Sequence, residues 1–237
     1  MLHGIDVSNW QKGLEIPESL DFCIVKATEG LRFVDWCCDG FVQQCKRKGI
    51  LWGFYHFARN NKPEDEALFF YNNTVGYIGD GIPVLDIEDE GIGNWGEYAQ
   101  RFVDKFHACS GVYPIIYASA STLRRFVGYP IVDDCGLWVA GYPDVESHTL
   151  KDIPTFRYDI SPWKFAAIWQ FTASGKLQNY DDYVDMDVAY MDRDAWKLYA
   201  NPEYIEPTTQ IEIPTDSKPK NEWSFENDKI KIDITLK

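Results

Sequence analysis

The sequence predicts an α/β fold, a modified (β/α) barrel of about eight strands with fewer helices than a regular barrel of this kind, followed by a short C-terminal extension. Three observations carry this. Apolar, β-branched-rich runs recur along the first 200 residues, helical patterns separate several of them, and the helical period fades in the second half. Alternating strands and helices argue for a mainly parallel sheet, and about eight strands in a chain of this length favour closure over an open sheet. The domain expectation is a barrel over residues 1–200 and a linker with a short β extension over 201–237.

In chain order, strands are expected near residues 4–8, 22–27, 51–57, 82–88, 113–119, 135–141, 165–171 and 183–188. Between them, DGFVQQCKRKG places Phe41, Val42 and Cys45 on one helical face and stops at Gly49. The stretch NWGEYAQRFVDKFHACSG spaces Trp95, Tyr98, Phe102, Val103 and Phe106 helically. Asn94 followed by Glu97 resembles a capping box, and Gly111 sits where a helix stop belongs. From 135 to 188 the gaps PDVESHTLKDIPTFRYDISP and SGKLQNYDD show little helical period, which points to missing helices. Past Asn201 prolines and turn formers accumulate, and the final KIKIDITLK alternates apolar and polar residues as a half-buried strand does. That strand is expected to pair with QIEI at 210–213, with the barrel, or with a second molecule as a homo-oligomer through the extension.

Composition narrows the function. A 237-residue chain with 45% hydrophobic residues can bury a sizeable core, and its net charge of −14 opposes binding to nucleic acid. No run approaches the length needed to span a bilayer, and MLHGIDVSNW enters a strand without the charged and apolar regions of a signal peptide. Cys23, Cys37, Cys38, Cys45, Cys109 and Cys135 lack paired C-x-x-C spacing and read as reduced thiols.

The informative string is IPVLDIEDE at 82–90, a core strand running into carboxylates. In an extended strand Asp86 and Glu88 project to one side while Leu85 and Ile87 project to the other. Asp6 closes the first strand and Asp185 lies in the last, so three distant segments can bring carboxylates to one barrel mouth. Crowded like charges raise the pKa of at least one member, and an acid that stays protonated near neutral pH is what glycoside hydrolysis requires. Clustered oxygens also suit magnesium or calcium, but neither a D-x-D-x-D-G loop nor a phosphate-binding glycine turn accompanies them. No metal or other cofactor is expected.

The motifs GIDVSNWQ (4–11), IVKATEG (24–30), GFYHF (53–57), PVLDIE (83–88), IIYAS (115–119), LWVAGY (137–142), AIWQFT (167–172) and VDMDVAY (184–190) together resemble, in order, the strand motifs of glycoside hydrolase family 25. That family comprises lysozymes of the N,O-diacetylmuramidase type, found in bacteria and in phage endolysins. The resemblance covers about residues 1–198 and implies a barrel with few helices that cleaves the β-1,4 bond between N-acetylmuramic acid and N-acetylglucosamine in bacterial peptidoglycan. Carried over by motif, Glu88 is the expected general acid and Asp86 its strand partner, with Asp6 and Asp185 as further catalytic carboxylates. Asp187 stands where the family motif usually has asparagine. Two schemes remain open for the second carboxylate. Asp86 could orient the substrate's acetamido group as internal nucleophile, or Asp6 or Asp185 could activate water.

Tyr55, His56, Tyr117, Trp138 and Gln170 occupy matching strand positions and are the expected substrate-binding residues, aromatic walls with hydrogen-bonding groups being suited to sugars. The competing readings are a catalytically inactive cell-wall-binding lectin on the same barrel, opposed by the presence of both Asp86 and Glu88, and a metal-dependent hydrolase. Without a signal peptide the protein is expected to be made in the bacterial cytoplasm, phage-encoded and released through a holin, or exported by another route.

Overall fold

The computed structural model describes residues 1–144, 148–178 and 180–204, together with the backbone of 222–227 and 230–235. One sheet contains β1 (Leu2–Val7), β2 (Phe22–Glu29), β3 (Phe33–Val34), β4 (Leu51–Phe57), β5 (Ile82–Asp86), β6 (Ile115–Ser119), β7 (Leu137–Ala140), β8 (Ile168–Gly175) and β9 (Val184–Ala189). Its order is β1-β9-β8-β7-β6-β5-β4-β2, and β2 pairs back onto β1, closing a ring of eight strands. β3 stands outside the ring as an antiparallel partner of β2.

Within the ring only β9 is antiparallel to its neighbours, β1 and β8. The cause is the connection. Residues 176–183 separate β8 from β9, fewer than the dozen or so that a parallel crossover needs, so the chain returns as a hairpin. This reversal brings the start of β9, not its end, to the rim where the parallel strands finish.

The helices are α1 (Cys38–Lys48), α2 (Pro63–Thr74), α3 (Trp95–Ser110), α4 (Ile131–Asp134) and α5 (Arg193–Ala200). α1 buries Cys38, Phe41, Val42 and Cys45 and ends at Gly49, whose φ of 66° is a left-handed conformation that costs glycine little. α3 starts at Asn94, whose side chain accepts from the Glu97 N–H at 3.2 Å. The expected capping box is only half formed, because the Glu97 carboxylate meets the Asn94 side-chain amide at 3.4 Å instead of its backbone N–H. α2 was not anticipated, although Pro63 at its first turn and Glu64, Asp65 and Glu66 beside it suit a helix N-terminus.

Two apolar regions hold the barrel. Inside, Phe22, Ile24, Ile82, Val84, Ile115 and Ile168 fill the end where the parallel strands begin, and Trp196 of α5 packs there with its ring 4.7 Å from that of Phe22. Outside, Phe70 of α2 and Phe102 and Phe106 of α3 pack against one another and the strands. Each such ring, fully buried, contributes about 1.5–3 kcal/mol. Along single strands the interior changes from apolar to polar: Val84 is followed two residues on by Asp86, and Ile168 by Gln170. The barrel is therefore a packed core at one end and a polar cup at the other.

The chain divides into two compact units, Met1–Tyr204 and Ile205–Lys237. In the second, β10 (Glu222–Asn227) pairs antiparallel with β11 (Ile230–Thr235), from Glu222 opposite Thr235 to Asn227 opposite Ile230. The expected terminal strand thus pairs with residues 222–227, which the sequence reading did not assign to a strand, and residues 210–213 lie outside those described.

All six cysteines are free thiols, Cys37 and Cys109 being only half buried.

Candidate active site

Every strand of the ring supplies a side chain to one cleft of about 350 Å³: Asp6 from β1, Lys26 from β2, Tyr55 from β4, Asp86 from β5, Tyr117 from β6, Trp138 from β7, Gln170 from β8 and Asp185 from β9. Glu88, just beyond β5, also lines it. The alternation of a strand explains the selection, since Asp6, Asp86 and Gln170 each sit between neighbours that pack into the outer core. Asp185 arrives by the reversal of β9, directly opposite Asp6 in the β1–β9 register. Four carboxylates expected from sequence are thereby brought together.

A hydrogen-bond chain orders the β8 side of the cup. The Tyr117 and Tyr142 hydroxyls both donate to Gln170 Oε1, at 2.9 and 2.5 Å. With that oxygen occupied, the Gln170 amide turns its N–H to Asp6 Oδ2 at 2.7 Å. Deeper in the barrel, fully buried Asp187 accepts from Trp138 Nε1 at 2.8 Å. Asp187 also forms a carboxyl–carboxyl contact with Asp6, which requires a shared proton. Burial first, then neighbouring carboxylates, pushes both pKa values well above the usual range. Asp187 therefore does not add a second full negative charge beside Asp6; the pair holds one proton. The bond between them raises Asp6 and lowers Asp187, so Asp6 holds the shared proton and Asp187, which accepts from both Asp6 and Trp138, is the ionised member.

The other side is set by cations. Burial pushes Asp86 well above its ordinary value, with Glu88 adding to the rise and Lys26 opposing it. Glu88 is open to the cleft yet walled by protein on its other sides; burial raises its pKa while Lys26 and Arg59 oppose the rise. Asp185 is raised to about 6 by burial and then by Glu88. Arg59 bonds Glu29 through Nε and a terminal nitrogen, and Asp89 through its other terminal nitrogen at 3.1 Å. Asp89 follows Glu88, so this arginine fixes the segment that carries the acid. One buried atom in the cleft has no hydrogen-bond partner among the described residues: Asp86 Oδ1.

His56 is a correction. It alternates with Tyr55 and Phe57, which face the cleft, and therefore points outward beneath α2 and α3. It is fully buried, with Thr28 Oγ1 2.8 Å from Nδ1 and Glu66 Oε2 2.8 Å from Nε2. Burial lowers its pKa despite Glu66, leaving a neutral ring that donates to Glu66 and accepts from Thr28. Glu66 in turn accepts from the backbone N–H groups of Arg59 and Asn61, so His56 helps shape the Arg59 loop without touching the cleft. Lys26, Tyr142 and Arg59 were missed as site residues. The first two lie in the quoted motifs IVKATEG and LWVAGY, while Arg59 carries no local signal.

A barrel whose mouth gathers carboxylates among aromatic walls fits the class of glycoside hydrolases. The sequence comparison makes it particular, because the model of glycosyl hydrolases family 25 matches residues 5–180 and the chain belongs to that family. Among its relatives, an autolytic lysozyme of Clostridium acetobutylicum is 29% identical over 199 residues, covering 78% of this chain and 55% of the relative. A family 25 lysozyme from Aspergillus fumigatus superposes with a TM-score of 0.66 at 25% identity, covering 84% of this chain and 98% of that one. A bacterial lysozyme from Streptomyces coelicolor gives a TM-score of 0.70 at 24% identity, covering 85% and 97%, and shows the shared fold.

Proposed function

We propose that the enzyme is a muramidase that hydrolyses the β-1,4 bond between N-acetylmuramic acid and N-acetylglucosamine in bacterial peptidoglycan, with Glu88 as general acid and Asp86 orienting the 2-acetamido group as nucleophile. The observation that carries this is the unpartnered, buried Asp86 Oδ1 beside Glu88. A buried acceptor left open needs an explanation, and the acetamido N–H of a bound amino sugar supplies the missing donor.

The proton then has a defined course. In the free cleft burial favours the proton on Asp86, the deeper of the two carboxyls. An N–H donated to Asp86 stabilises its anion, and Glu88, open to the cleft, takes the proton that it passes to the leaving oxygen. The acetamido oxygen attacks the anomeric carbon as the glycosidic bond breaks, and the carbon–oxygen bond to the leaving sugar is replaced by an oxazolinium ring. The charge on that ring faces the Asp86 carboxylate. Glu88, now ionised, removes a proton from water, which opens the ring with retention. Tyr55, Tyr117, Trp138 and Gln170 position the sugar, and Asp6 and Asp185 line the opposite wall.

Digestion of purified peptidoglycan followed by identification of the new reducing ends tests the reading. N-acetylmuramic acid ends with the β-anomer formed first are the expected result. The α-anomer would transfer the second role to Asp6 or Asp185 as base, N-acetylglucosamine ends would mean a glucosaminidase, and binding without release would mean a lectin.

A further inference from the structure

The order of strands around the ring says more than which residues meet. Going round from β1 through β2, β4, β5, β6, β7 and β8 to β9, β5 and β9 lie on opposite sides of the mouth, and so do the β1/β2 and β6/β7 rims. Glu88 follows β5 and Asp185 opens β9, so these carboxylates face each other across the cup. The path between them runs from the β1/β2 rim to the β6/β7 rim, and each end of that path carries a built surface.

At the β1/β2 end, Trp10 and Trp36 are 83% and 60% exposed on adjacent loops. Buried Asp35 ties the two loops together, accepting from the backbone N–H groups of Asn9 and Cys37, each at 2.8 Å. Lys12 Nζ lies 5.0 Å from the Trp36 ring centre, and Trp10 itself lines the catalytic cleft. Two exposed indoles thus stand on loops anchored to one another, Trp10 lining the cleft and Trp36 on the adjoining loop. At the β6/β7 end, Tyr142 lines both the catalytic cleft and a second cavity of about 430 Å³ that includes Ser121, Arg124 and Tyr158. A polymer cleaved in a 350 Å³ cleft has to leave it at both ends.

We propose, building on the muramidase reading, that the glycan strand crosses the mouth along this diameter, with the exposed rings of Trp10 and Trp36 stacking on sugars at one end and the Arg124 cavity holding sugars at the other. Sugar rings present apolar faces to indoles, and their hydroxyl and acetamido groups suit the polar cavity. The reacting bond then passes between Glu88 and Asp185, flanked from both sides by carboxylates.

The test compares long peptide-free glycan strands with the tetrasaccharide of alternating N-acetylglucosamine and N-acetylmuramic acid, using the wild type, Trp36→Ala, Arg124→Ala and, as a control, Phe165→Ala on another exposed surface. With melting temperatures verified, Trp36→Ala and Arg124→Ala should each lower kcat/KM on long strands about threefold to tenfold, chiefly through KM, with a clearly smaller loss on the tetrasaccharide. Phe165→Ala should behave as wild type on both. Unchanged cleavage of long strands by both variants, or an equal loss at the two lengths, would overturn the proposed path and leave the muramidase reading standing. A wild type that releases no muramic acid ends from either substrate would overturn that reading itself.

Discussion

At the scale of single residues, Glu88 and the Asp6–Asp187 pair give the sharpest expectations. Glu88→Gln keeps shape but cannot donate a proton, so kcat should fall about 10²- to 10⁴-fold with binding to wall fragments retained, measured by reducing-end release and sedimentation. Asp86→Asn should be impaired more than Asp6→Asn in reducing-end release, because in the proposed mechanism only the former removes the charge that faces the acetamido group. The buried carboxyls also set a pH dependence of stability. Asp6 and Asp187 have folded pKa values above their unfolded ones, so the fold retains protons that the unfolded chain releases. Their contribution is complete below the ordinary carboxylate pKa and is lost as pH rises through the folded values. His56 and Glu66, with lowered pKa values, act in the opposite sense, and their contribution fades as pH falls. Asp187→Asn removes one of the two coupled carboxyls and puts an uncharged amide beside Asp6, so its melting temperature should decline less toward alkaline pH than the wild type's. A melting series across pH on both proteins checks this. The acids were legible in the sequence because strands two residues in period carried them into recognisable motifs. His56 was not, because being next to Tyr55 in a motif says nothing of which face it takes.

At the scale of elements, strand positions were readable and directions only in part. Long apolar runs announce β2 and β4 whatever their neighbours do, but the reversal of β9 depends on the length of a connection between two strands whose ends sequence leaves uncertain. α2 escaped for a different reason. Its buried positions are Pro63, Glu66, Ala67, Phe70 and Thr74, so the stripe that would mark a helix is interrupted by two polar residues, Glu66 being buried to meet His56. The α2–α3 contact nonetheless supports the strands behind the site, with Phe102 stacked on both His56 and Phe106. Phe102→Ala should cost about 3–5 kcal/mol in denaturant unfolding.

At the scale of the whole molecule, the two units invite separation. Deleting residues 206–237 should leave cleavage of soluble muropeptides nearly unchanged while altering stability, self-association or attachment to whole walls; size-exclusion chromatography and wall sedimentation of the truncated protein check this. A folded truncation without activity on soluble substrate would mean that the second unit helps build the site. The tail was the least legible part, because a hairpin's partner depends on where its turn falls and the family motifs end before it. The ring closure between β1 and β9 has a consequence for biogenesis. Translation produces Asp6 first and Asp185 and Asp187 among the last residues of the barrel, and the Asp6–Gln170 bond alone spans 164 positions. Loop closure across such a distance slows folding and leaves the cup incomplete until β9 has been translated. A nascent chain stopped short of β9 carries Glu88 with no wall opposite it, so an enzyme able to breach a cell wall comes into being only once its barrel has been fully made.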